Sequence, residues 1–176
     1  MHHLITHATF PDVQDGASLL LAFHARPQTA VLILGGDQLA ASRAFSALEA
    51  NYKVVIMAPG GHASVCEELA WRAAQDQLTI VDFESDTTRT SVDERDNGLA
   101  LANYLDAHLS VRLVFVTDTV LGGNSSTPRR SRASAEQLYS VCSRRRVPVN
   151  MTDMPDLCDF TLPSAHRVPG TPLQLA

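Results

Sequence analysis

Along the chain, blocks of consecutive apolar residues alternate with stretches in which apolar positions recur every three or four residues. The block at residues 30–35, Ala-Val-Leu-Ile-Leu-Gly, is continuously apolar, rich in branched side chains and stopped by Gly35-Gly36. Such a run predicts a strand buried on both faces. From residue 39 to 50, Leu39, Ala40, Ala44, Ala47 and Leu48 fall at helical spacing among strong helix formers, so a helix follows directly. The same beat then repeats. Strands are predicted at 53–57, 78–82 and 111–117, and helices at 64–77, 94–108 and 131–146. For the second helix, Ser64 stands as N-cap and Glu67 completes a capping box. Polar stretches at 84–93 and 118–127 read as loops. Residues 147–150, Val-Pro-Val-Asn, are either a fifth strand near a sheet edge or the lead-in to one, because proline cannot sit in a central ladder.

Strands alternating with helices need crossover connections, which predicts an α/β fold with a parallel sheet covered on both faces. Three segments are expected: a lead-in at 1–29, the sheet-and-helix domain at 30–151, and a polar, proline-bearing loop at 152–176 whose last residues read as the opening of another strand. At 176 residues, 45% hydrophobic and 19% charged, the chain suits one domain with a substantial core and lies far from the disordered regime. The apolar run at 17–23 is too short to span a bilayer and has no basic segment before it, so a soluble, cytoplasmic protein is expected, away from membranes. Three widely spaced cysteines without a C-x-x-C pair argue against a disulfide framework or a zinc site, and fit a reducing compartment. The seven histidines are scattered and read as surface or core residues, so no protein-held metal is predicted. The net charge of −5 argues against nucleic acid as a partner. Locally, however, Arg129, Arg130, Arg132 and Arg144 to Arg146 stand against the single acid Glu136 and suit a polyanionic ligand.

A strand running into glycines and then a helix is the physical recipe for a dinucleotide turn, since backbone amides and the positive helix end both face the pyrophosphate. That makes the expected sheet Rossmann-like and doubly wound. The G-x-G-x-x-G/A spacing is broken: Gly35 can be its first glycine and Ala40 its last small residue, but Asp37 stands at the second. Its carboxylate would repel a phosphate charge about 4 Å away by roughly 1 kcal/mol in water and about 4 kcal/mol at an effective dielectric of 20. An acid at the end of the second strand, which would hold the ribose, is also missing, because that strand runs into Met57-Ala58-Pro59. Spacing alone leaves two readings, a cofactor turn or a plain tight βα turn. Gly35, Pro59, Thr117 and the residues after Asn150 are expected to converge beyond the carboxyl ends of the strands. There Asp153 is either a general base on a short loop or the residue of an Asx turn. Arg129 and Arg130 are either cations for a carboxylate-bearing substrate or part of a solvated helix start.

Residues 149–164, Val-Asn-Met-Thr-Asp-Met-Pro-Asp-Leu-Cys-Asp-Phe-Thr-Leu-Pro-Ser, resemble the Asn-Val-x-Asp-x-Pro...Phe...Pro-Ser segment of the precorrin-2 dehydrogenase/ferrochelatase domain of siroheme synthases. Residues 34–40 resemble that family's Gly-Gly-Gly-x-Val-Ala turn, and the similarity runs over about 19–176. It is closest to the fungal branch, in which this domain precedes a uroporphyrinogen-III C-methyltransferase domain. The resemblance implies NAD-dependent oxidation of precorrin-2 to sirohydrochlorin, with Fe2+ as a further substrate for chelation. It implies Asp153 as the catalytic aspartate beside Asn150, and cofactor contacts at Gly35, Gly36, Gln38, Leu39, Pro59, Gly60 and Thr117. Precorrin-2, a polycarboxylate, would meet Arg129 and Arg130. The family forms homodimers through helices expected beyond residue 176, so the chain is expected to be truncated before them. The competing expectation is a Rossmann-like scaffold module of a methyltransferase that has lost cofactor binding through Asp37.

Overall fold

The computed structural model describes residues 23–82, 94–119 and 129–162. Most of the expected lead-in, most of the two polar loops and the end of the carboxy-terminal loop lie outside those residues. The elements run β1 (Ala30–Leu34), α1 (Gln38–Glu49), β2 (Lys53–Ala58), a 3-10 turn (Gly61–Ser64), α2 (Glu67–Ala74), β3 (Thr79–Asp82), α3 (Glu94–Ala107), β4 (Val111–Val116), α4 (Arg132–Arg144), β5 (Val149–Met151) and a 3-10 turn (Pro155–Leu157). The five strands form one sheet of order β3-β2-β1-β4-β5 in which every neighbouring pair is parallel. Strand order reverses between β1 and β4, and at such a switch point the loops leave the sheet in opposite directions and open a crevice.

β1 is central, which is why all five of its residues are buried. Alternate side chains serve opposite faces. Leu32 and Leu34, with Val114, Val116, Val149 and Met151, pack with Leu101 and Leu105 of α3 and Leu138 of α4. Val31 and Ile33, with Ile56 and Phe115, pack with Ala40, Ala44 and Ala47 of α1 and Leu69 of α2. Helices thus cover both faces, as a doubly wound sheet requires. Leu32, Ile33 and Leu34 are fully buried, and each contributes about 1.5–3 kcal/mol through removal from water. The small side chains of α1 let that helix lie close to the sheet.

One predicted boundary is corrected. α2 begins at Glu67 with Cys66 as N-cap, and the Ser64 hydroxyl donates to the Gly61 carbonyl (3.0 Å) instead of capping the helix. The cause is tertiary: the Cys66 N–H donates to the Gly36 carbonyl (2.7 Å), so residues 64–66 are held against the β1–α1 turn and cannot start a helix. Ser131, by contrast, caps α4 by accepting from the Ser134 N–H at 3.1 Å. Pro148 stands just before β5, an edge strand, and its carbonyl accepts from the Val114 N–H (3.0 Å), so its missing donor costs the ladder nothing. No helix among the described residues is long and apolar enough to cross a membrane.

Candidate active site

The β1–α1 turn opens at the switch point. Gly35 has φ +127°, and a Cβ there would lie 2.2 Å from the Thr117 hydroxyl oxygen. At Gly36 a Cβ would lie 2.9 Å from the Ser64 carbonyl oxygen. Both glycines are therefore required by the chain's own packing, whatever ligand the turn meets. Asp37 is extended and caps α1: its Oδ1 accepts from the Ala40 N–H (2.8 Å) and from the Thr117 hydroxyl (3.1 Å). That hydroxyl has one proton, shared between Asp37 and the Leu34 carbonyl at 3.3 Å. Thr117 is fully buried, so it braces the turn from beneath, where direct contact with a cofactor was expected.

Asp37 takes one first-turn amide. The N–H groups of Gln38 and Leu39, first in the helix, have no intrahelical acceptor and stand at its positive end. The backbone of the turn thus fits a pyrophosphate, while the half-buried Asp37 carboxylate opposes one in charge. The Gln38 side chain is tied to α2 through Glu68 (3.1 Å), so its part in any anion site falls to its backbone.

Pro59 and Gly60 follow β2 and are exposed. The Gly60 N–H donates to Asp82 Oδ1 (3.1 Å), so a carboxylate from the end of β3 reaches the turn after β2.

On the other side of the switch point, Arg130 is a correction to the expected substrate cation. Its Nε and Nη2 grip the Asp118 carboxylate (2.9 and 2.7 Å) and its Nη1 donates to Ser134 (2.9 Å). The two side chains of the ion pair are 5% and 15% exposed, so the pair is a clamp joining the end of β4 to the start of α4. Arg129 is exposed, with its Nε donating to the Thr119 carbonyl, and the Thr119 hydroxyl donates to the Thr152 carbonyl, linking the ends of β4 and β5. Arg132 pairs with Glu136 and Asp156, and the first contact of the Asp156 carboxyl, its hydrogen bond from Arg132, holds it below the usual carboxylate range.

Beyond β5, most polar groups of the motif hold the loop in place. The Asn150 amide donates to the Phe160 carbonyl (2.8 Å), turned toward the segment whose Phe160 ring meets Phe115 edge-on. Asn150 is thus a brace, where a place in the chemistry was expected. The Asp159 carboxylate accepts from the Val149 N–H (3.0 Å), and the Met151 N–H donates to the Cys158 sulfur (3.2 Å). Residues 158 and 159 therefore satisfy the outer edge of β5, which would otherwise be open to another strand. Burial pushes the Cys158 thiol up, so it stays protonated in this role. Asp153 differs from its neighbours. It is exposed, has φ +62°, a left-handed conformation that aspartate tolerates, and its carboxylate has no side-chain partner among the described residues. Among those residues no group of three or more His, Cys, Asp or Glu side chains could hold a metal ion.

Sequence reasoning missed Asp37 as a cap, although an aspartate directly before a helical periodicity is a cap signal. It also missed Asp82, Asp118 and Asp159, whose partners lie on other strands or turns and leave no local trace.

The family profile described as "Putative NAD(P)-binding" matches residues 22–164. "Siroheme biosynthesis protein met8" of Schizosaccharomyces pombe (strain 972 / ATCC 24843) is 30% identical over 166 residues, which is 94% of this chain and 50% of that protein. "Probable uroporphyrinogen-III C-methyltransferase" of the same organism is 37% identical over 62 residues, 35% of this chain and 11% of that one. A solved structure of "SirC, precorrin-2 dehydrogenase" superposes with a TM-score of 0.43 at 18% identity, over 77% of this chain and 49% of that one. The chain spans about half the length of the met8 protein.

Proposed function

The chain belongs to the NAD(P)-binding family whose profile covers residues 22–164, and from that premise we propose that it is an NAD-dependent precorrin-2 dehydrogenase of siroheme biosynthesis. One observation carries the reading: between residues 150 and 160, Asp153 is the carboxylate left without a partner among the described residues, at the crevice end of β5. The likeness to met8 along 94% of the chain supports siroheme biosynthesis as the setting.

When bound, NAD supplies the hydride acceptor for oxidation of precorrin-2 to sirohydrochlorin, which releases one hydride and one proton. The first-turn amides of Gln38 and Leu39 would hold the pyrophosphate, with Gly35 and Gly36 keeping the turn tight. Pro59 and Gly60, both exposed after β2, would border the adenosine half. Asp153 accepts the proton as the macrocycle is oxidised, and Arg129, tied through Thr119 to Thr152, meets substrate carboxylates. Thr117, Asn150 and Arg130 position these groups from below. Fe2+ enters this scheme as a substrate: the same Asp153 takes up protons displaced from the pyrrole nitrogens when the metal is inserted. A homodimer, a C-methyltransferase partner and a cytoplasmic location accompany the reading, the last in keeping with three free cysteines.

A second reading, a scaffold module without cofactor binding, is favoured by the Asp37 carboxylate on the helix end. Supplying the full chain with precorrin-2 and NAD and following NADH absorbance separates them. Turnover is expected, reduced about a hundredfold or more in Asp153→Asn, which keeps the left-handed turn and therefore the melting temperature. Normal turnover in that variant would remove Asp153 as the base, and no NAD binding at millimolar cofactor would favour the scaffold.

A further inference from the structure

We propose that Asp82, at the carboxyl end of β3, holds the adenosine ribose and sets a preference for NAD over NADP. The inference rests on the cofactor reading above. In a sheet of order β3-β2-β1-β4-β5, a dinucleotide seated on the β1–α1 turn extends its adenosine half over β2 and β3, and the acid that accepts from the ribose hydroxyls ordinarily ends β2. Here β2 ends in Ala58, and residues 59–66 contain no carboxylate. The register pairs Ala58 directly with Asp82. An acid therefore stands one strand over, at the same level of the sheet.

The geometry carries the carboxylate back to where the missing one would be. Asp82 Oδ1 accepts from the Gly60 N–H at 3.1 Å, and a Cβ on Gly61 would lie 3.6 Å from the Asp82 Cβ. Gly60 and Gly61, with φ of +80° and +55°, bend the chain around the acid and place no side chain over it. Asp82, Pro59 and Gly60 are all exposed. A carboxylate has about four lone-pair sites, so Asp82 can accept from the ribose 2′ and 3′ hydroxyls beside the contacts it already makes. A 2′-phosphate would bring a second anion to the same place, and residues 59–66 contain no arginine or lysine to offset it.

The alternative role, a staple for the turn after β2, predicts something different for Asp82→Asn, because the amide oxygen still accepts from Gly60 while the charge is gone. Wild-type full chain and this variant are titrated with NADH and with NADPH by fluorescence and calorimetry, alongside thermal melts. The wild type is expected to bind NADH more tightly. Asp82→Asn should weaken NADH about tenfold, as loss of a charged hydrogen bond implies, and leave NADPH equal or better with the melt unchanged. Asp82→Glu should keep the preference. An Asp82→Asn protein with wild-type selectivity, or a wild type that prefers NADPH, overturns the inference and leaves cofactor binding standing. A wild type that binds neither cofactor overturns the cofactor reading itself and this inference with it.

Discussion

Replacing Asp37 with asparagine separates the two things its carboxylate does at the start of α1. As a cap, Oδ1 accepts from the Ala40 N–H at 2.8 Å, and an asparagine oxygen can do the same at nearly equal strength. As a charge, it gains about 0.3–1 kcal/mol from the helix end, which the neutral variant forfeits. For a chain of this size that loss lowers the melting temperature by no more than about 4 °C. A pyrophosphate on the neighbouring amides would lie about 4 Å away, where two unit charges repel by roughly 1 kcal/mol in water and about 4 kcal/mol at an effective dielectric of 20. Asp37 is half-buried, so an intermediate cost of about 2 kcal/mol is expected, equivalent to roughly thirtyfold in Kd. Calorimetric titration with NAD should therefore show Asp37→Asn binding more tightly by at least about tenfold, with only a small drop in melting temperature. Asp37→Gly should bind with a similar gain, since glycine caps only a few tenths of a kcal/mol less well. Equal or weaker binding in Asp37→Asn would refute the reasoning, because it would mean that the carboxylate aids the cofactor.

The Asp118–Arg130 clamp and Arg129 should respond in opposite ways. Arg130→Ala leaves a largely buried carboxylate without its partner and should lower the unfolding free energy by about 3 kcal/mol in urea denaturation. Arg129→Ala should stay within about 0.5 kcal/mol of wild type and raise KM for precorrin-2, so equal stability losses would undo the distinction. Burial pushes the Cys142 thiol from 9.0 up to about 12. Because the folded value is the higher one, this contribution to stability is complete below the unfolded value and is lost as pH rises through the interval between the two. Denaturation midpoints should fall above pH 9 in wild type and less so in Cys142→Ala, and a thiol reagent at pH 8 should label Cys142 only on unfolding. Rapid labelling in the folded protein would contradict its burial.

What the sequence determined by itself is the layered architecture. A central parallel strand is buried on both faces, so the run at 30–34 reads as a strand without knowledge of its neighbours, and the spacing in α1 shows a helix with one apolar face. Caps within three residues, such as Ser131 for Ser134, belong to the same local level. The partners of the polar groups, by contrast, come from tertiary contacts. Thr117 reaches Asp37 across 80 residues, Asp82 reaches Gly60 across 22, and Cys66 is taken from a predicted helix by the Gly36 carbonyl. Asn150 and Arg130, both expected at the site, are engaged beneath it, and Asp153 stands out only after its neighbours' partners are known. The reason is physical: periodicity and propensity depend on residues within about four positions along the chain, whereas the role of a polar side chain depends on which distant group satisfies it, and strand order sets that.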